Sequence, residues 1–193
     1  MNMERGYLLV LLVGSWLASG MLAASDSRAL IEQAGAAYQG NLMLNQAAGD
    51  VHQQVNARAI GAGSMPGLNI QQQREGMPLE HLPADIHAGI RGGAFTGGGG
   101  VLGINQSAGA ANQQINGFRI GIGVRPESLD DSSLAQSVAL PPSASSAAES
   151  RQSGRQVEID DQAFTDSRGV VQLNQAAGVG NRMVNQLGIR ILE

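Results

Sequence analysis

Apolar and polar positions alternate along three segments of the chain, residues 40–61, 100–123 and 169–193. In each segment two aliphatic residues stand two positions apart, and a glutamine and an alanine follow on the same side. A period of two predicts a β-strand, because successive side chains of a strand point to opposite faces. The apolar face predicted in this way comprises Leu42, Leu44, Ile60, Leu102, Ile104, Phe118, Ile120, Val171, Leu173, Leu187 and Ile189.

An Ala-Gly pair interrupts the alternation in the middle of every segment, at Gly49, Gly109 and Gly178. Glycine tolerates positive φ, so this pair predicts a tight turn. A second alternating stretch follows each pair and ends in isoleucine. Each segment therefore predicts a strand, a turn and a second strand.

The three segments are copies of one unit and align without a gap. Units of this kind usually bury their faces by stacking on one another. The aligned amide side chains are Asn45, Gln46, Asn56, Asn105, Gln106, Asn116, Asn174, Gln175 and Asn185.

Amides on a partly apolar face favour a layered β structure over the alternative, repeats of helical hairpins. Glycine-flanked segments rich in asparagine are poor helix formers. A buried amide needs a hydrogen-bond partner, and identical amides stacked about 4.8 Å apart supply one another as ladders. The sequence thus predicts an all-β fold, in which three strand-turn-strand repeats stack as a β-solenoid or cross-β layer structure with flexible linkers.

The repeat pattern N-Q-x-A-G-x-x-N-Q-Q-x-N resembles that of the Fap-type functional amyloid subunits of Gram-negative bacteria, and more distantly the Asn/Gln repeats of curlin. Fap subunits have a signal peptide and three such repeats separated by two variable linkers, and this chain has the same order of parts. It departs from the family in lacking a C-terminal Cys-x-Cys, since it contains no cysteine. The resemblance implies polymerisation with itself and related fibre subunits, export through an outer-membrane pore, and roles in biofilm matrix and surface adhesion.

Residues 1–24 have the features of a secretory signal peptide: an apolar run after Arg5 and small residues at Ala23 and Ala24. Cleavage before Ser25 is expected, with cleavage after Gly20 as the second choice and a retained membrane anchor as the alternative. The N-terminal segment 25–39 is compatible with a short helix capped by Ser25 or Asp26, and equally with a flexible terminus.

The repeats, at 40–61, 100–123 and 169–193, are separated by a Gly-rich linker at 62–99 and a Ser/Pro/acidic linker at 124–168. Proline and clustered charge oppose strand stacking, so the second linker is expected to stay out of the ordered stack.

Composition argues against a conventional core and against several classes of function. Aromatic residues are 3% of the chain and glycines number 27 of 193, so order must come largely from regular backbone pairing. The net charge of −4 does not suggest nucleic-acid binding.

No catalytic, metal or cofactor site is apparent in the sequence. His81 and His87 lack a third metal ligand nearby, and Asp160, Asp161 and Asp166 do not have the spacing of a calcium loop. A small-molecule substrate is likewise not expected. The sequence predicts a non-enzymatic subunit or nucleator of an extracellular fibre, secreted through the periplasm. The alternative is a soluble periplasmic or cell-surface β-solenoid that binds or adheres without polymerising.

Overall fold

The computed structural model describes residues 26–75, 85–123, 134–139 and 154–192, and its regular secondary structure is entirely β. The fold is therefore all-β, as the alternating pattern predicted. The signal peptide expected at 1–24 lies outside the described residues. The strands are β1 (Ser27–Glu32), β2 (Gln39–Asp50), β3 (Gln53–Ala62), β4 (Ile70–Glu75), β5 (Ile86–Arg91), β6 (Gly99–Ala110), β7 (Gln113–Ile122), β8 (Leu134–Ala139), β9 (Arg155–Ile159), β10 (Arg168–Val179) and β11 (Arg182–Ile191).

The strands form four parallel sheets, which we call A to D in the order in which the chain passes through them, from β1 to β4. Sheet A has the order β1-β5-β9, sheet B β10-β6-β2, sheet C β11-β7-β3 and sheet D β4-β8. The repeats stack in register, so Asn105 pairs with both Asn45 and Asn174. Layer 1 accordingly consists of β1–β4, layer 2 of β5–β8 and layer 3 of β9–β11, with the second repeat in the centre.

The two strands of one repeat belong to different sheets and do not form a hairpin. The chain reverses as a β-arch at residues 51–52, 111–112 and 180–181, with positive φ at Val51, Ala111 and Gly180. The glycines expected to make the turns do have positive φ, but they lie two residues earlier, near the ends of β2, β6 and β10. Ladder hydrogen bonds therefore connect layers rather than the two halves of a repeat.

Two apolar clusters lie between sheets A and B. The larger contains Ile31, Ile90, Phe95, Leu102 and Ile104, and the smaller contains alanines together with Ile86. Both clusters form where strands of sheet A, with Phe95 from the turn after β5, pack on the side of sheet B that carries the aliphatic residues. Sheet A thus supplies the buried apolar area that the repeats alone do not contain.

Neither the short helix nor the flexible terminus considered for the N-terminal segment describes Ser27–Glu32, which is a strand. Ser27, Ala29 and Ile31 are buried while Arg28 and Glu32 are exposed, which is the period of a half-buried strand. Pairing with β5 and packing against sheet B outweigh the helical propensity of this segment.

The expectation that the acidic linker stays out of the ordered stack is also wrong for two of its segments. Arg155–Ile159 pairs with β5, and Leu134–Ala139 pairs with β4. For Arg155–Ile159 the physical reason is a second repeated motif, Ala-Phe-Thr, at residues 94–96 and 163–165. The rings of Phe95 and Phe164 stack with centroids 5.5 Å apart and planes 12° apart, which joins layers 2 and 3 beside sheet A.

Among the described residues, none forms a helix with the length and hydrophobicity that crossing a membrane requires.

Candidate functional site

A column of glutamines, Gln46, Gln106 and Gln175, runs through the three layers between the two apolar clusters. Gln106 is fully buried, and its Nε2 donates to the main-chain oxygens of Gly89 at 2.8 Å and Ala29 at 3.2 Å. Sheet A therefore satisfies the amides that its apolar residues enclose. Gln106 Nε2 also donates to Gln46 Oε1 at 2.9 Å, and Gln175 Nε2 donates to Gln106 Oε1 at 2.8 Å.

Two columns of asparagines face each other inside the arch, between sheets B and C. In layer 2, Asn116 Nδ2 donates to Asn105 Oδ1 at 3.1 Å and to the Ile104 oxygen at 2.9 Å. The same pair of contacts recurs in layer 1 with Asn56 and in layer 3 with Asn185. Between layers, the Nδ2 of one asparagine donates to the Oδ1 of the aligned asparagine in the preceding layer. These hydrogen bonds run from Asn105 to Asn45, Asn174 to Asn105, Asn116 to Asn56 and Asn185 to Asn116, at 2.9 to 3.1 Å.

The nine predicted amides thus occupy two separate places. Adjacent residues of a strand point to opposite faces, so Asn45 lies inside the arch while Gln46 faces sheet A. The structure brings all nine into stacked columns, and it separates the glutamine column from the two asparagine columns by the thickness of sheet B.

The predicted apolar residues divide in the same way. Leu42, Leu44, Leu102, Ile104 and Leu173 pack in the larger cluster between sheets A and B. The second-strand set, Ile60, Phe118, Ile120, Leu187 and Ile189, lies on the asparagine side of sheet C, because these residues follow the asparagines by even steps.

Exposure differs sharply among them: Phe118 is buried, whereas Ile60 is 74% exposed at the layer 1 edge and Val171 is 43% exposed at the layer 3 edge.

In each repeat, glycines near the two ends of the first strand are required because the backbones of adjacent layers approach each other closely there. At Gly109, where φ is +108°, a Cβ would overlap the Gly178 carbonyl oxygen and lie 2.9 Å from its carbonyl carbon. At Gly100, where φ is +124°, a Cβ would overlap the Gly40 carbonyl oxygen. Any side chain at these two positions would therefore push adjacent layers apart.

Further buried amides at the arch were missed by the sequence reasoning. Asn112 is fully buried and donates from Nδ2 to the oxygens of Ala108 at 3.1 Å and Gly178 at 3.0 Å, while its Oδ1 accepts from Asn181. Gln114 is also fully buried and donates to the Gln106 oxygen at 3.0 Å. The signal that would have found these residues is the N-Q-Q run of the repeat pattern itself.

Ionisable groups lie mainly outside the amide columns. The Glu158 carboxylate accepts from Arg91 Nη2 at 2.7 Å and lies 3.4 Å from His87 Nε2. The hydrogen bond from Arg91 holds the pKa of Glu158 below its ordinary value. Within the described part of the chain, no three of His, Asp and Glu come close enough together to hold a metal ion, and His81 lies outside that part.

One acidic side chain of the second linker has a structural role. Asp160 Oδ1 accepts from the Gln162 N–H at 2.8 Å, and Oδ2 accepts from the Gly92 N–H at 3.2 Å. Its carboxylate therefore helps to fasten the turn after β9 to layer 2.

The arrangement as a whole is a parallel, in-register stack of arches with amide ladders, which is the architecture of a cross-β protein. The family model described as "Functional amyloid protein FapB/FapC family" matches residues 15–192. The chain belongs to this family and is a functional amyloid protein. No solved structure matches it significantly.

Proposed function

We propose that the chain is a secreted subunit or nucleator of an extracellular functional amyloid fibre, contributing to biofilm matrix and surface adhesion. The observation that carries the proposal is the pair of open edges: β1, β2 and β3 are unpaired on one side of the stack, and β9, β10 and β11 on the other, among the described residues. An unpaired edge is a template for another chain.

Exposed apolar side chains support the same function, because six of the nine large ones among the described residues lie in layer 3, at one of these edges. Stacking a further layer on layer 3 would remove them from water, which is favourable by about 25 cal/mol per Å² of apolar area. The exposed large apolar residues of layer 3 are Val157, Ile159, Val171, Val184, Ile191 and Leu192.

The proposed partners are other copies of this chain and related fibre subunits. Export would proceed through the periplasm and an outer-membrane pore, as the signal-like segment 1–24 and the family membership suggest. In this proposal the predicted ladder residues hold successive subunits together in the fibre as they hold successive layers in one subunit.

The test is fibre diffraction from residues 25–193 incubated at micromolar concentration. A fibre subunit gives a meridional reflection at about 4.7–4.8 Å from strands stacked along the fibre axis. If the protein stays monomeric and gives no such reflection, it is instead a soluble β-solenoid that binds or adheres without polymerising.

A further inference from the structure

We propose that copies of this chain join head to tail, with layer 1 of one copy on layer 3 of the preceding copy, and that Gln46 and Gln175 are the specificity-determining pair at this junction. The inference rests on the proposed self-assembly and adds its polarity and the residues that set it.

The orientation of each glutamine amide is fixed by main-chain carbonyls of sheet A. A carbonyl oxygen only accepts hydrogen bonds, so the side-chain nitrogen must be the atom that faces it. Gln46 Nε2 donates to the Leu30 oxygen at 2.9 Å, and Gln175 Nε2 donates to the Glu158 oxygen at 3.0 Å. Gln106 is held in the same way by Gly89. The three amides therefore point in one direction.

This common orientation makes the column directional. The amide nitrogen of each layer donates to the amide oxygen of the layer before it, from Gln106 to Gln46 and from Gln175 to Gln106. At the layer 3 edge the column ends in Gln175 Oε1, which is buried and has no hydrogen-bond partner among the described residues. At the layer 1 edge it ends in Gln46 Nε2, an amide group with two hydrogens that donates to the Leu30 oxygen.

A second copy placed head to tail completes both ends at once. Its Gln46 would donate to the free Gln175 Oε1, as Gln106 donates to Gln46 within the chain. The opposite arrangement, with like edges together, places donor against donor or acceptor against acceptor and leaves the buried oxygen unpaired.

The asparagine columns have the same direction. Asn116 donates to Asn56, and Asn185 donates to Asn116. One amide contact between layers is reversed, from Gln54 to Gln114 at 2.7 Å. That column does not reach the layer 3 edge as an amide, because Met183 occupies the position in layer 3.

The experiment exchanges the neutral amide pair for a charged pair. Gln46→Glu turns the donor edge into an acceptor, which opposes Gln175 of the preceding copy. Gln175→Lys turns the acceptor edge into a donor, which opposes Gln46 of the next copy. Each variant alone should elongate roughly tenfold or more slowly than the natural sequence, since every junction then contains an unpaired buried group.

Mixing the two variants in equal amounts should restore growth if copies join head to tail, because only that arrangement brings matched side chains together. The mixture offers two matched junctions: the new ammonium group of Gln175→Lys against the new carboxylate of Gln46→Glu, and the natural Gln175 against the natural Gln46. The two variants therefore form an alternating copolymer, and a chain carrying both substitutions should also assemble by itself. As a control, Gln46→Met mixed with Gln175→Lys should remain slow, because a methionine side chain is a poor acceptor for the ammonium group.

Elongation is followed by light scattering and by the pelletable fraction, and circular dichroism of the starting monomers reports their folding. A mixture that grows no faster than either single variant, or single variants that grow as fast as the natural chain, would overturn the head-to-tail pairing even if the natural chain forms fibres. If the natural chain gives no fibres, the proposed function itself fails, and this inference fails with it.

Discussion

Replacing Asn116 by alanine tests whether the amide columns stabilise the stack. Asn116 is 1% exposed; its Nδ2 donates to Asn56 Oδ1 and to the Ile104 oxygen, both at 2.9 Å. Its Oδ1 accepts from Asn174 and Asn185, each at 3.1 Å, but both of these amides keep other acceptors. Asn116→Ala therefore leaves Asn56 Oδ1 without this donor, whereas the Ile104 oxygen keeps its ladder hydrogen bond in the central strand of sheet B. At about 1–3 kcal/mol for one buried unsatisfied group, the free energy of unfolding should fall by roughly 1–3 kcal/mol.

Urea denaturation of the monomer under non-assembling conditions measures this change, and the denaturation midpoint of fibres gives an independent value. The matched control is Asn69→Ala, because Asn69 is exposed and lies outside the columns. That change should alter the free energy of unfolding by no more than about 0.5 kcal/mol. Equal stabilities of the two variants would refute the ladder argument and leave backbone pairing and apolar burial to explain the repeat.

Three further predictions concern a glycine at the layer 1 edge, an ion pair of sheet A and a buried hydroxyl group. In the monomer a Cβ at Gly40 meets nothing within 4 Å, so Gly40→Ala should cost only the strain of an alanine at φ +82°, which the control Gly63→Ala shares at φ +76°. Gly40→Ala should in addition slow elongation against layer 3, whereas Gly63→Ala should not slow seeded growth. The hydrogen bond from Arg91 lowers the pKa of Glu158, so this ion pair stabilises the fold at pH values above the ordinary glutamate pKa of 4.5. The stabilisation is lost as the pH falls through the lowered pKa of the folded protein. Glu158→Gln should therefore flatten the acid limb of a plot of stability against pH. Tyr38→Phe should leave thermal stability unchanged or slightly raised, since the buried Tyr38 hydroxyl has no partner among the described residues; a large drop in the melting temperature would show that it has one.

The three-layer stack and its register were predictable because the repeat alignment is also the pairing register. Asn45, Asn105 and Asn174 align in sequence without a gap and are Cα partners in sheet B. The spacing of Leu42 and Leu44, two positions apart on the side that also carries Gln46 and Ala48, likewise identified the strand and its buried face.

Sheet A was not predictable in the same way, because its strands are short and their repeats differ in chemistry. Ile86 aligns with Arg155, and Gly89 with Glu158, so side-chain identity does not reveal the pairing. Backbone hydrogen bonds do not depend on that identity, and the Ala-Phe-Thr motif beside these strands is too short to establish a repeat by itself. Without sheet A, the acceptors of the glutamine column could not be named from sequence.

The position of the arch escaped sequence reasoning because it requires positive φ at Val51 and Ala111, residue types that rarely adopt it. The Ala-Gly pair two residues earlier gave the stronger local signal. In the structure that pair serves the close packing of layers, and the reversal is imposed by the stack.

The in-register pairing of layers also determines how the chain must fold. Strand partners are 60 or 69 residues apart in sheets B and C, so a free chain has to close a long loop before its first two layers can pair. Topologies dominated by such distant contacts fold slowly. An edge that already exists removes this step, because layer 1 of an incoming chain can pair with it directly and then template its own layer 2. Growth on a preformed end should therefore be much faster than folding in isolation, and a lag before assembly that seeds abolish follows from the spacing of the repeats alone.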